Sequence, residues 1–231
     1  MEHPNRARTL DDISHLFISG EAPGELKAPA AGKRILVAQP SRGLAGPYLA
    51  ARLAIEFSQM GLLTRVADCE EATPTVAYLL SGARGVGSVS VETLGEPGLD
   101  EGVILCAFVP REGEALPAPP FSFDWVVCTA AAQSSSLIET YQMIKSLLAL
   151  QPDLRIGVVI WGADEPGRAR AAAMALLSAA KRRLGAELTY LGALPEETAL
   201  YEAVWNRDLL TGGEPTASAV AQIAGRLAGG A

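Results

Sequence analysis

Four stretches of the chain are apolar at nearly every position: RILVAQ at 34–39, VILCAFV at 103–109, WVVCT at 125–129 and RIGVVIW at 155–161. A strand with water on one side alternates apolar and polar residues. A strand that is apolar throughout must be covered on both faces, which points to a parallel sheet between two helix layers. Helical periodicity fills the intervals. Leu49, Leu53, Ile55 and Phe57 mark a helix over 47–60, and Leu137, Tyr141, Ile144 and Leu148 mark one over 136–150. A long helix over 166–184 is predicted to start from Asp164 as cap with Pro166 in its first turn. Strands are expected at 64–68, 89–94 and 187–191, and helices at 75–80, 196–206 and 216–227. The predicted fold class is α/β, a doubly wound, mostly parallel sheet of about seven strands or one fewer, with helices on both faces.

Composition narrows the function classes. The 231 residues carry a formal net charge of -7 and only 6% aromatics. Neither a broad basic surface for nucleic acid nor a base-stacking platform is expected, so no nucleic-acid partner is assigned. Cys69, Cys106 and Cys128 lie far apart, and the two histidines, His3 and His15, precede the main domain. That leaves too few ligands for a zinc cage, and no metal is expected. The cysteines read as reduced thiols of a cytoplasmic protein. The N-terminal MEHPNRARTLDD is polar, unlike a secretory signal, and no apolar run approaches the ~18 residues of a membrane span.

Three segments are predicted. Residues 1–20 hold a short amphipathic helix with Leu10, Ile13, Leu16 and Phe17 at helical spacing. Residues 21–32 (EAPGELKAPAAG) form a Pro/Ala/Gly linker, and 33–231 the α/β domain. The tethered helix suits either docking into a partner's groove or folding back on its own domain.

Two strings in the second half carry a family resemblance. QSSSLIETYQMIKSLLALQPDLRIGVVI at 133–160 and LTYLGALPEETALYEAVWNRDLL at 188–210 are similar to segments of the MinD/ParA P-loop ATPases, especially the FlhG-like branch that places and counts flagella. The resemblance implies a P-loop fold, ATP and magnesium as cofactors, a dimer, and a role in positioning a cellular machine. It also implies phosphate-loop chemistry: amides of a Gly-rich loop, a phosphate-binding lysine, and a magnesium-binding hydroxyl.

The loop departs from that pattern. The matching stretch is Ala38-Gln39-Pro40-Ser41-Arg42-Gly43-Leu44-Ala45-Gly46-Pro47-Tyr48. Ser41 stands at the family's signature lysine, Gly46 at the phosphate-binding lysine and Pro47 at the magnesium-binding hydroxyl. None of the four lysines, Lys27, Lys33, Lys145 and Lys181, is in the loop. Asp68 and Glu70 stand where the family has an Asp-x-Asp pair. Cys128 takes the place of a magnesium-side aspartate in FDWVVCT, after which a helix and a strand of the family look to be missing.

Each of these residues has a plainer reading. Gly43 and Gly46 with Arg42 would form a vestigial anion cradle, yet the stretch also reads as an ordinary strand-to-helix turn. Asp68 and Glu70 read as solvated or capping groups, and Cys128 and Cys106 as small core residues. Ser134, Ser135 and Ser136 read as a loop providing an N-cap. Arg168, Arg170 and Lys181–Arg183 read as a solvated face. The last helix, with Arg226 its single cation, reads as core packing, so membrane association is weak or absent. No catalytic residue is assigned and no cofactor is expected, with ATP and magnesium as the alternative.

The expected function is therefore a non-catalytic, pseudo-ATPase adaptor or regulator of positioning or assembly, of a flagellum for example. It would meet a protein partner through the N-terminal helix, as a homodimer or as a heterodimer with an active relative. Two alternatives stay open: a nucleotide-switched ATPase with an unorthodox loop, and an accessory subunit of polysaccharide export or secretion.

Overall fold

All four apolar stretches are strands. β1 (Lys33–Ala38), β2 (Thr64–Asp68), β3 (Val89–Thr93), β4 (Val103–Phe108), β5 (Trp125–Ala131), β6 (Arg155–Trp161) and β7 (Leu188–Ala193) form one sheet. The strand order is β3-β2-β4-β1-β5-β6-β7, and every pairing is parallel. Among the described residues, helices with defined bounds are α1 (Ala45–Gln59), α2 (Ser134–Leu150), α3 (Pro166–Leu184) and α4 (Glu214–Gly229), and residues 76 and 79–80 are helical as well. The computed structural model describes residues 32–40, 43–68, 76, 79–80, 89–93, 102–108, 123–163, 165–194 and 214–229. The predicted helix over 196–206, the linker and the N-terminal helix lie outside the described residues.

The two faces divide the core by strand alternation. Ile35, Val37, Leu105, Val127 and Val159 pack with Leu49, Leu53 and Phe57 of α1 and with Val220, Ile223 and Leu227 of α4. Leu36, Ala38, Ile104, Cys106, Val126, Cys128, Val158 and Ile160 pack with Met143, Ile144 and Leu147 of α2 and Ala169, Ala173 and Leu176 of α3. Double coverage is why the strands read as unbroken apolar runs. At Gly157 a Cβ would meet Leu191 Cδ1 at 2.3 Å. Only glycine lets β6 accept that leucine.

Element ends differ from the sequence reading in instructive ways. β5 continues two residues past Thr129, because Ala130 and Ala131 pair with Ile160 and Trp161. Cys128 therefore lies inside the strand. No helix–strand unit interrupts the sheet here: β5 is bonded to β1 on one side and β6 on the other. α2 starts at Ser134 with Gln133 as N-cap, and no serine side chain caps it. Instead Ser136 Oγ accepts the Ala131 N–H at 2.9 Å. α3 takes Glu165 as N-cap, one residue beyond the expected Asp164, and ends on Gly185 at φ 68.

The C-terminal helix is part of the core. Val220, Ile223, Ala224 and Leu227 are 0% exposed. Arg226 donates from Nη1 to the Tyr190 and Leu191 carbonyls at 2.9 and 3.0 Å. Lys33 Nζ donates to the Leu227 carbonyl at 3.1 Å and to the Ala228 carbonyl. This cation closes the helix's C-terminal end, where carbonyls lack intrahelical partners.

Candidate functional site

In an open parallel sheet, ligands collect outside the carboxyl ends of the strands where the winding direction reverses. Here the chain winds from β1 through α1 to β2 on one side, and from β5 through α2 to β6 on the other. The reversal falls beside β1, so the turn from β1 into α1 is the candidate site. Gln39 follows β1 directly, and its N–H extends the ladder by donating to the Phe108 carbonyl at 3.0 Å. α1 begins at Ala45 after Leu44, which offers no side-chain cap. Pro47 thus falls third in the helix, where the missing N–H would have had no helical partner anyway. Tyr48 N–H closes the first turn onto the Leu44 carbonyl at 2.8 Å.

One side chain reaches into this turn. Gln39 Oε1 accepts the Gly46 N–H at 2.6 Å, and Gln39 is 1% exposed. A Cβ at position 46 would lie 2.9 Å from Gln39 Oε1 and 3.1 Å from Gln39 Cβ. Among the described residues, Gln39 Nε2 meets no acceptor. Ala45, Gly46, Pro47 and Tyr48 are all buried. Gln39 went unnoticed in the sequence, where only an amide side chain ending an apolar strand could have flagged it.

The expected site residues are dispersed around this turn. Gly43, Gly46 and Pro47 line it, whereas Ser41, Arg42 and Glu70 lie outside the described residues. Asp68 ends β2 level with Ala107 of β4, and Ala107 is level with Val37 of β1. Two strand spacings, about 10 Å, separate the Asp68 and Val37 backbones. The strands flanking β1 present Phe108 and Cys128 level with Ala38, so neither carries a carboxylate there. Cys128 faces the core under α2 and α3. Burial pushes its thiol up from 9.0 to about 12, which rules out a reactive thiolate near neutral pH. Leu10, Ile13, Leu16 and Phe17 also lie outside the described residues.

The described lysines are held elsewhere. Lys33 begins β1, about 17 Å from Ala38 at the strand's rise per residue, and is bonded to α4. Lys181 pairs with Glu187 at 2.9 Å on the surface, and Lys145 is exposed late in α2.

Solved structures align over most of the chain. MinD of the Aquifex aeolicus MinC:MinD cell division complex is 14% identical with a TM-score of 0.67, covering 86% of this chain and 97% of that one. The fold is that of the MinD/ParA ATPases. A ParA family ATPase from Chlorobium tepidum aligns at 13% identity and TM-score 0.59, covering 83% of this chain and 98% of that one. The ATP complex of Cyanothece McdA(D38A) aligns at 12% identity and TM-score 0.65, covering 87% and 98%. No family model matches the sequence, and no curated protein matches it.

The MinD/ParA fold implies ATP and magnesium, and the residues at this turn do not fit them. A side chain at position 46 would require Gln39 to shift, since its Cβ would lie 2.9 Å from Gln39 Oε1, and position 47 offers neither a hydroxyl nor an N–H. The helix amide that a phosphate oxygen would use is bonded to Gln39. Phosphoryl transfer rests on positioned charge, and that charge is missing from the described part of the turn.

Proposed function

We propose that this MinD/ParA-like protein works without nucleotide, as an adaptor or regulator of the positioning or assembly of a cellular machine such as a flagellum. The observation that carries the proposal is the Gln39–Gly46 hydrogen bond in a turn that has no lysine and has proline at position 47, where the magnesium-binding hydroxyl would stand. The MinD relative was solved in complex with MinC, and a protein partner is the corresponding expectation here. A protein without an ATP cycle holds its partner constitutively, or lets the partner's own state decide.

Calorimetry of the full chain with Mg-ATP tests the first half of this reading. The expected result is no binding in the micromolar range and no hydrolysis. Micromolar binding would overturn it in favour of a nucleotide-switched protein with an unorthodox loop.

The N-terminal segment is the proposed docking element, with Leu10, Ile13, Leu16 and Phe17 as its apolar stripe. A helix of this length is marginal alone in water and gains order by docking. Deleting residues 1–20 should leave the domain folded while abolishing capture of the partner. Unfolding or aggregation of the truncated chain would make the segment a brace instead.

A further inference from the structure

We infer that Gln39 is a built-in occupant of the anion seat at the N-terminus of α1, matched to the glycine at position 46, and that it shuts phosphate groups out of the turn. This rests on the nucleotide-independent reading and gives it a structural cause.

The amides at a helix N-terminus point outward and draw acceptors, with the helix dipole behind them. In α1 Pro47 has removed one such donor, and the Gly46 N–H is bonded at 2.6 Å to the side-chain oxygen of Gln39. An amide oxygen thus sits where an anion's oxygen would have to come. Packing alone does not explain a glutamine there. Gln39 is 1% exposed, and its Nε2 meets no acceptor among the described residues. An apolar side chain of similar volume would bury no unmet donor. What the glutamine adds is its oxygen on Gly46.

The pairing also accounts for the glycine. With a Cβ at 46 lying 2.9 Å from Gln39 Oε1 and 3.1 Å from Gln39 Cβ, any other residue would require Gln39 to shift. A lysine at 46 and a glutamine folded over the helix crowd each other. The glycine is therefore half of a matched pair as well as the loss of a charged residue.

The test uses the full chain labelled with ¹⁵N, comparing the wild type with Gln39→Ala and Gln39→Glu. Hydrogen exchange is read at the Gly46 amide, and inorganic pyrophosphate is the anion probe. In the wild type the Gly46 amide should be protected, and pyrophosphate should leave the resonances of 43–46 unmoved. In Gln39→Ala exchange at Gly46 should rise roughly tenfold, the worth of one buried hydrogen bond, and pyrophosphate should now shift Gly46. Gln39→Glu keeps an acceptor in place, so Gly46 should stay protected and the anion excluded.

Unchanged exchange at Gly46 in Gln39→Ala would overturn the inference. So would pyrophosphate shifting wild-type Gly46 as strongly as it shifts the variant. Should Gln39→Ala not fold, Gly46→Ala decides: it should lower the urea midpoint in the wild type more than in a Gln39→Ser background. Equal drops would overturn the pairing. ATP bound without moving 43–46 would sink the nucleotide-independent reading and leave this contact standing. Unchanged exchange without ATP binding would do the reverse.

Discussion

Replacing Ile223 by alanine separates a core helix from a membrane-docking one. Ile223 is 0% exposed in the core layer where α1 and α4 pack on the sheet. Its Cγ1 lies 3.4 Å from where a Gly192 Cβ would stand, so it packs directly on the β7 backbone. The substitution removes three carbons, about 2.4 kcal/mol of lost burial at ~0.8 kcal/mol each. The cavity left among Leu191, Val220 and Leu227 adds about 1 kcal/mol more. The total is about 3–4 kcal/mol. Urea unfolding followed by circular dichroism reads it directly. With a slope of about 2 kcal/mol per molar, the midpoint should fall by roughly 1.5–2 M. The exposed Ile138, 58% accessible on α2, is the control, and its alanine variant should stay within about 0.5 kcal/mol of wild type. A midpoint lowered by less than ~0.5 M for Ile223→Ala would refute the reasoning, especially if the same variant lost binding to anionic vesicles.

Three further outcomes follow from described contacts. Gly46→Lys with Pro47→Thr should not produce ATP hydrolysis in a phosphate-release assay, because the new side chain meets Gln39 and both strands beside β1 lack a carboxylate level with Ala38; turnover would show that the loop alone was limiting. Lys33→Met should cost about 1–2 kcal/mol in urea unfolding by leaving the Leu227 and Ala228 carbonyls without their cation, whereas an unchanged midpoint would make the contact ornamental. The Cys128 thiol stays neutral in the fold up to about pH 12 but ionises near 9 once unfolded. Its contribution is thus intact below pH 9 and is lost at up to about 1.4 kcal/mol per pH unit above it; Cys128→Ala should flatten that decline between pH 9 and 11, and an identical slope would show that other groups cause it.

Much of the architecture was legible because double burial leaves a continuous apolar record. β6 and α3 have their expected bounds, Arg155–Trp161 and Pro166–Leu184; a fully apolar strand and a proline-led helix each announce their limits locally. Ends set by tertiary pairing were less visible. Ala130 and Ala131 look like loop after Thr129, and only Ile160 and Trp161 across the ladder make them strand. Likewise α1 begins before Pro47 because a proline is tolerated throughout the first helical turn. At the candidate site, the missing lysine and hydroxyl could be read from identity alone. Gln39's part could not, since it depends on a side chain bending over a turn to an amide seven residues ahead. A glycine at 46 reads as mere absence until the atom beside it is known.

The guanidinium of Arg226 has a consequence for assembly. Among the described residues β7 is one of the sheet's two outermost strands, bonded to β6, and its ladder shifts register between Val158 and Val159. An edge of this kind, left bare, would template another extended chain. Here two successive carbonyls, those of Tyr190 and Leu191, are already engaged by the C-terminal helix, and the irregular register interrupts the row of groups a newcomer would need. A strand added at this margin would have to displace Arg226 from both carbonyls, an obstacle built from the last helix rather than from the strand itself.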